Sequence, residues 1–194
     1  MGGVDHDPGA ALPALLHPAW QAGRRDRPTS GAQGWPVGGK LLDPATVEAA
    51  RLPGRLEKHR VGRVPVVIDG AHVASSVRMA LEELAADPEL AGPAVVVLAL
   101  GRDKDARKIL KVLADRTDSL ICTTVPSGPL SAAEVLAEEA QRAGLGAETA
   151  ADPLAAYARA LELAEDGRWV LVIGSFYLAG AIRESLVESP QPPA

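Results

Sequence analysis

Four short runs decide what this chain can fold into: Val64 to Asp69, Ala94 to Leu100, Ser119 to Thr124 and Trp169 to Gly174. Each is rich in Val, Ile or Leu and apolar on both faces. A strand of that kind needs cover on both sides, as in the parallel sheet of an α/β protein. Helical patterns fill the intervals: Ala74 to Ala86, Asp105 to Ala114, Ser131 to Ala143, Pro153 to Glu165 and Tyr177 to Leu186. Strand and helix in alternation imply right-handed βαβ units. A weaker strand is expected at Gly146 to Thr149, and Leu56 to Val61 can add an edge strand. The expected fold is α/β and Rossmann-like, with a mainly parallel sheet of five to six strands and helices on both faces. Ser131 with Glu134 three residues on resembles a capping box, and Asp152 before Pro153 a capped helix start.

Residues 1 to 40 differ from the rest. They are rich in Gly and Pro, hold two of the three tryptophans and show no sustained apolar period. A disordered or irregular tail is expected there, with a domain over 41–188 and a short tail over 189–194. Hydrophobic residues make up 47% of the chain and aromatics only 3%, so the core must be built from Ala, Val and Leu. The net charge is −5 with scattered basic residues, which argues against a nucleic-acid surface. Cys122 is the only cysteine, which excludes an internal disulfide or a cysteine zinc site. Met1 leads into Gly-Gly-Val-Asp-His-Asp-Pro, not a secretory leader, and no apolar run approaches the roughly 20 residues of a membrane span. A cytoplasmic protein is expected.

Four segments carry candidate chemistry. The run Val66-Val67-Ile68-Asp69-Gly70-Ala71-His72 ends a buried strand in an acid, a glycine and a histidine. In open α/β sheets ligands sit outside the carboxyl ends of strands, so Asp69 can meet a ribose hydroxyl or reach a metal through water, and His72 can face the same crevice. The bland alternative has Asp69 capping its own turn and His72 packed at the surface. Pro53-Gly54-Arg55-Leu56-Glu57 presents a guanidinium on a rigid turn; its planar fork suits phosphate, although an exposed turn arginine is the plainer reading. Asp103-Lys104-Asp105 follows the second strand. Lys104 can meet an acidic substrate or a phosphate, or the segment is a solvated turn with Asp105 as a helix cap. Gly174-Ser175-Phe176-Tyr177 opens a helix, and N–H groups at such a start can hold a carboxylate or phosphate. The alternative buries Phe176 and Tyr177 in the core.

Other patterns fail. Gly34-Trp-Pro-Val-Gly-Gly39-Lys40 has P-loop spacing, but Leu41 replaces the magnesium-binding Ser or Thr and no strand precedes it. No Gly-x-Ser-x-Gly elbow surrounds Ser175, and there is no Gly-x-Gly-x-x-Gly fingerprint. His6, His17, His59 and His72 are too dispersed to form a metal site.

Taken in order, the four segments resemble the carboxy-terminal domain of folylpolyglutamate synthase/dihydrofolate synthase, a member of the Mur ligase superfamily. The resemblance covers about Leu41 to Leu186, with Pro-Gly-Arg-Leu-Glu the closest block. It implies ATP contacts for Arg55 and Asp69, catalytic roles for His72 and Lys104, and contacts to the incoming glutamate for Ser175 and Tyr177. No metal ligand is implied here. The chain departs from the family wording at Val73-Ala74, where Asn-Pro is commonest. It departs again at Pro129-Leu130, where many members have Pro-Arg and so an additional cation. Enzymes of this family join glutamate to dihydropteroate or a folate. ATP phosphorylates the carboxyl, the amine attacks the acyl phosphate, and phosphate leaves. Their P-loop, their Mg2+ ligands and most of the folate pocket lie in an amino-terminal domain, expected here as a partner in cis or in trans. The expected small-molecule partners are ATP, glutamate and folate or dihydropteroate. Two other readings compete: a non-catalytic remnant or nucleotide-binding module of the same fold, and an unrelated Rossmann-like enzyme or carrier using Asp69 and His72.

Overall fold

The computed structural model describes Pro36–Val37, Lys40–Leu41, and residues 52–126, 128–164 and 167–188. The chain divides into two units, Met1–Ala50 and Arg51–Ala194. In the first, Pro36–Val37 pairs antiparallel with Lys40–Leu41. The rest of the expected amino-terminal tail, and the 189–194 tail, lie outside the described residues.

The second unit holds a sheet of six strands. These are β1 Glu57–Val61, β2 Val64–Ile68, β3 Ala94–Leu98, β4 Thr117–Cys122, β5 Ala147–Thr149 and β6 Trp169–Ile173. Five helices follow in chain order: α1 Ala74–Leu84, α2 Ala106–Leu113, α3 Ala133–Arg142, α4 Pro153–Ala164 and α5 Phe176–Glu188. The spatial order is β1-β2-β6-β3-β4-β5. Only the β1–β2 pair is antiparallel, its hairpin closed at Val61 and Val64 with Gly62 at φ 57° between them. All other pairs are parallel.

The apolar runs distribute their side chains by the period of two that a strand imposes. Val67, Val96, Leu98, Leu120, Leu171 and Ile173 face a core completed by α1, α2 and α3 through Leu81, Leu110 and Leu136. Val66, Ile68, Val95, Val97, Val170 and Val172 face the opposite way, onto α4 and α5. On α4 the buried Ala156, Ala160 and Ala164 recur every four residues, a smooth stripe that lies close on the sheet. Alanine and valine thus replace the missing aromatics, with buried Trp169 and Tyr157 as exceptions. Trp169 donates its Nε1–H to the Gly92 carbonyl at 2.8 Å.

Helix starts follow the sequence, with one correction. Asp152 caps α4 by accepting from Ala155 N–H at 2.9 Å, and Asp105 caps α2 by accepting from Lys108 N–H at 3.1 Å. The capping box expected at Ser131 and Glu134 does not form. Helix α3 begins at Ala133, with Ala132 in the cap position and no side-chain cap bond. The Ser131 N–H is instead committed to the Leu100 carbonyl at 2.9 Å, beside the bridge between Gly101 and Leu130. That tertiary bond sets the helix cap one residue later than the local signal.

Candidate functional site

The strand order places a switch in direction at the middle of the sheet. From β2 the chain crosses to β3, β4 and β5 with α1, α2 and α3 on one face. It then returns over the other face with α4 to insert β6 between β2 and β3. The neighbours β2 and β6 therefore lead into helices on opposite faces, which opens a crevice at their carboxyl ends. Asp69 stands at the end of β2, and Gly174-Ser175 at the end of β6.

Asp69 is buried at the center of this edge. Its Oδ1 accepts from Ala71 N–H at 2.7 Å, and its Oδ2 accepts from Leu56 N–H at 2.9 Å. The acid thus ties its own turn to the Pro53–Leu56 turn that precedes β1. A third link runs from Gly70 N–H to the Gly54 carbonyl at 2.7 Å. Gly54 has φ 67°, and Leu56 has φ 46°, a left-handed conformation that costs a side-chain-bearing residue about 1–3 kcal/mol. Two carboxylate-bound N–H groups hold this turn in place, since Glu57 Oε2 accepts from Gly54 N–H at 2.9 Å.

Arg55 leaves the turn exposed, its guanidinium carbon 5.6 Å from the centroid of the Phe176 ring. The His72 ring meets the same phenyl edge-on, with centroids 5.7 Å apart and an interplanar angle of 66°. Phe176 therefore gathers Arg55 and His72 around one ring. A Cβ on Gly70 would come within 2.3 Å of that ring, so the glycine of the Asp-Gly-Ala-His run makes room for it. His72 Nδ1 lies 2.8 Å from the Gly70 carbonyl. A carbonyl can only accept, so Nδ1 donates a proton to it, and Nε2 takes no part in that bond.

Lys104 stands beyond this group, its Nζ 2.8 Å from Asp103 Oδ2. The Lys104 ammonium beside it holds the Asp103 carboxyl below its ordinary value. Ser175 is buried and its Oγ accepts from Tyr177 N–H at 3.1 Å, which makes it the cap of α5. Phe176 and Tyr177 are both exposed and outside the core, contrary to the alternative reading of that segment. The Tyr177 ring instead stands beside Gly128, where an added Cβ would come 3.1 Å from the ring. The edge thus brings Arg55, Asp69 and His72 into one connected group. Lys104 pairs with Asp103 outside that group, while Ser175 and Tyr177 belong to the adjoining helix start.

Sequence reasoning passed over Phe176 as a site residue. Its signal was present: an aromatic at a helix start opposite a glycine, in a chain with one phenylalanine. Beside the Arg55 turn lies a cleft of about 420 Å³ whose lining includes Leu52, Arg55, Asp69, Ala71 and Met79. Among the described residues no cluster of His, Cys, Asp or Glu is suited to hold a metal ion.

The model of the family described as Mur ligase, glutamate ligase domain, matches residues 54–176. The chain belongs to the Mur ligase family. This Mur ligase domain is similar to Mycobacterium tuberculosis folylpolyglutamate synthase complexed with ADP, with 32% identity over 77% of this chain and 36% of that one, TM-score 0.63. It is also similar to the bifunctional folylpolyglutamate synthase/dihydrofolate synthase of Yersinia pestis complexed with AMPPNP and Mn ion, with 26% identity over 76% of this chain and 35% of that one, TM-score 0.65. A bifunctional synthase with Mn, AMPPNP and L-glutamate bound matches at 27% identity over 72% of this chain and 32% of that one, TM-score 0.63. The Mur ligase domain thus spans about a third of the length of these synthases. No curated protein matches it. Among the described residues no helix is long and apolar enough to cross a membrane.

Proposed function

We propose that this domain is the carboxy-terminal portion of an ATP-dependent ligase that adds glutamate to dihydropteroate or a folate through an acyl phosphate. The observation that carries the reading is the Arg55 guanidinium, exposed on a doubly anchored turn beside the cleft that Asp69 and Met79 help to line. An arginine fork beside a partly apolar cleft suits a nucleotide: the cation meets phosphate oxygens and the apolar wall meets a base. Asp69 sets the turn and keeps lone pairs on both oxygens for a ribose hydroxyl. Transfer of the γ-phosphoryl group to the substrate carboxylate yields ADP and the acyl phosphate. The glutamate amine then attacks the acyl carbon, phosphate leaves with the C–O electron pair, and the amine sheds a proton. His72 Nε2 is the free base at this edge and Lys104 the cation that steadies phosphoryl charge. Ser175 and Tyr177 mark the side from which glutamate enters.

On this reading Mg2+ is held by a P-loop domain, in cis or in trans, as the resemblance implies. An apolar rim supports such docking. Five of the seven large exposed hydrophobic residues described, Leu52, Val73, Met79, Phe176 and Tyr177, surround this edge.

Leu130 favours a second reading, a nucleotide-binding module without turnover. Its side chain is buried in the core and supplies no cation to the edge. Two measurements test the readings, and the second separates them. ADP binding by the pure chain, weakened about tenfold or more in Arg55→Ala, is expected on both. Glutamate ligation on addition of a P-loop domain selects the ligase, and its absence the module. A chain that binds no ADP in either setting overturns both.

A further inference from the structure

The turn that carries Arg55 lies along a single stripe of α5. A Cβ built on Gly54 would stand 3.4 Å from the Cβ of Ala179. Arg55 lies over Phe176 at 5.6 Å. Glu57 accepts from Arg183 Nε on both carboxylate oxygens, at 3.1 and 3.2 Å. Phe176, Ala179 and Arg183 are spaced i, i+3 and i+7, which puts them on one face of the helix. The Glu57 carboxylate also receives Gly54 N–H, and its Oε1 lies 3.0 Å from Nε2 of His59 on β1. One acid therefore touches the turn, the edge strand and α5.

We infer that Glu57 is a positioning residue that clamps the Arg55 turn onto α5 through Arg183. The clamp fixes the guanidinium relative to the helix start where Ser175 and Tyr177 stand. This inference rests on the reading of Arg55 as the phosphate ligand. An arginine on a free turn must be ordered at every encounter with its ligand, and a clamped one is already in place. The clamp also joins the two sides of the edge. A plain surface ion pair between Glu57 and Arg183 would steady the fold and leave Arg55 where it is.

The test is an NMR comparison of the full 194-residue chain with its Glu57→Ala, Arg183→Gln and Arg183→Lys variants. The Phe176 ring shifts the resonances of the Arg55 side chain, and Gly54 amide exchange reports the Glu57 bond. Glu57→Ala and Arg183→Gln are expected to lose most of the ring shift. In Glu57→Ala the Gly54 amide is expected to exchange about tenfold faster, the effect of losing one charge-assisted hydrogen bond. Arg183→Lys is expected to keep most of the ring shift. Amides of β6 serve as the control for folding. An unchanged Arg55 shift in both disruptive variants, with β6 protected, overturns the inference. ADP titration of the unmodified chain is separate: failure to bind counts against the nucleotide reading and leaves the ring-shift result decisive for the clamp.

Discussion

Two glycines of the site edge differ in how they would tolerate a methyl group. At Gly174 an added Cβ would meet the Ala99 carbonyl oxygen at 2.4 Å, and the backbone has φ 106°. Neither the carbonyl nor the dihedral can yield, so Gly174→Ala is expected to lower stability by about 3 kcal/mol, read from the urea midpoint by circular dichroism. At Gly70 the obstacle is the ring of Phe176, an exposed side chain that can swing away. Gly70→Ala is expected to cost only about 1 kcal/mol but to displace the ring, and with it the Arg55 and His72 contacts. Its signature is a loss of ADP affinity out of proportion to the change in urea midpoint. Asp69→Asn addresses the same edge through polarity. The amide has one oxygen for two partly buried N–H donors, so about 1–3 kcal/mol is expected to be lost whether or not nucleotide is present.

At the scale of elements, two serines near helix starts separate a local signal from its use. Ser175 caps α5, and Ser175→Ala is expected to cost about 1 kcal/mol. Ser131 looks like a cap in sequence but α3 starts beyond it, so Ser131→Ala is expected to change stability by less than about 0.5 kcal/mol. Thermal unfolding of the two variants gives the comparison, and a larger loss at Ser131 would contradict the observed cap position. Strands and helices themselves were legible because apolar runs and periods of 3.6 are local properties. The β2, β3 and β6 runs end within two residues of the observed strands, as Ile68, Leu98 and Ile173 show. The Ser131 error arose because the competing bond, to Leu100, comes from residues 31 positions away in the chain.

For the molecule as a whole, acid sensitivity follows from the carboxylate that joins β1, the Arg55 turn and α5. Partial burial acts to raise the Glu57 carboxyl, but Gly54 N–H, Arg183 and His59 outweigh it and hold it below its ordinary value of 4.5. A depressed carboxyl contributes stability that is complete above its unfolded value and is lost as pH falls through its folded value. The stability difference between the natural chain and Glu57→Gln is therefore expected to be constant near neutrality and to shrink below about pH 4.5. Urea unfolding across that range checks it; a difference that grows on acidification would reverse the sign. By contrast Cys122, pushed up to about 12 by burial, remains a protonated thiol and is expected to resist alkylation in the folded chain.

The sequence by itself determined the α/β class, the strands and helices, and the family through Pro-Gly-Arg-Leu-Glu, Asp-Lys-Asp and the Asp69–His72 run. Those are short-range patterns, each written in adjacent residues. The tertiary structure alone decided that β6 inserts between β2 and β3, so that Asp69 and Ser175 come to one edge. It also decided that Phe176 gathers Arg55 and His72, and that Glu57 reaches Arg183 across 126 positions of chain. Those contacts depend on where the sheet order brings distant segments together, and no local period or spacing encodes that order.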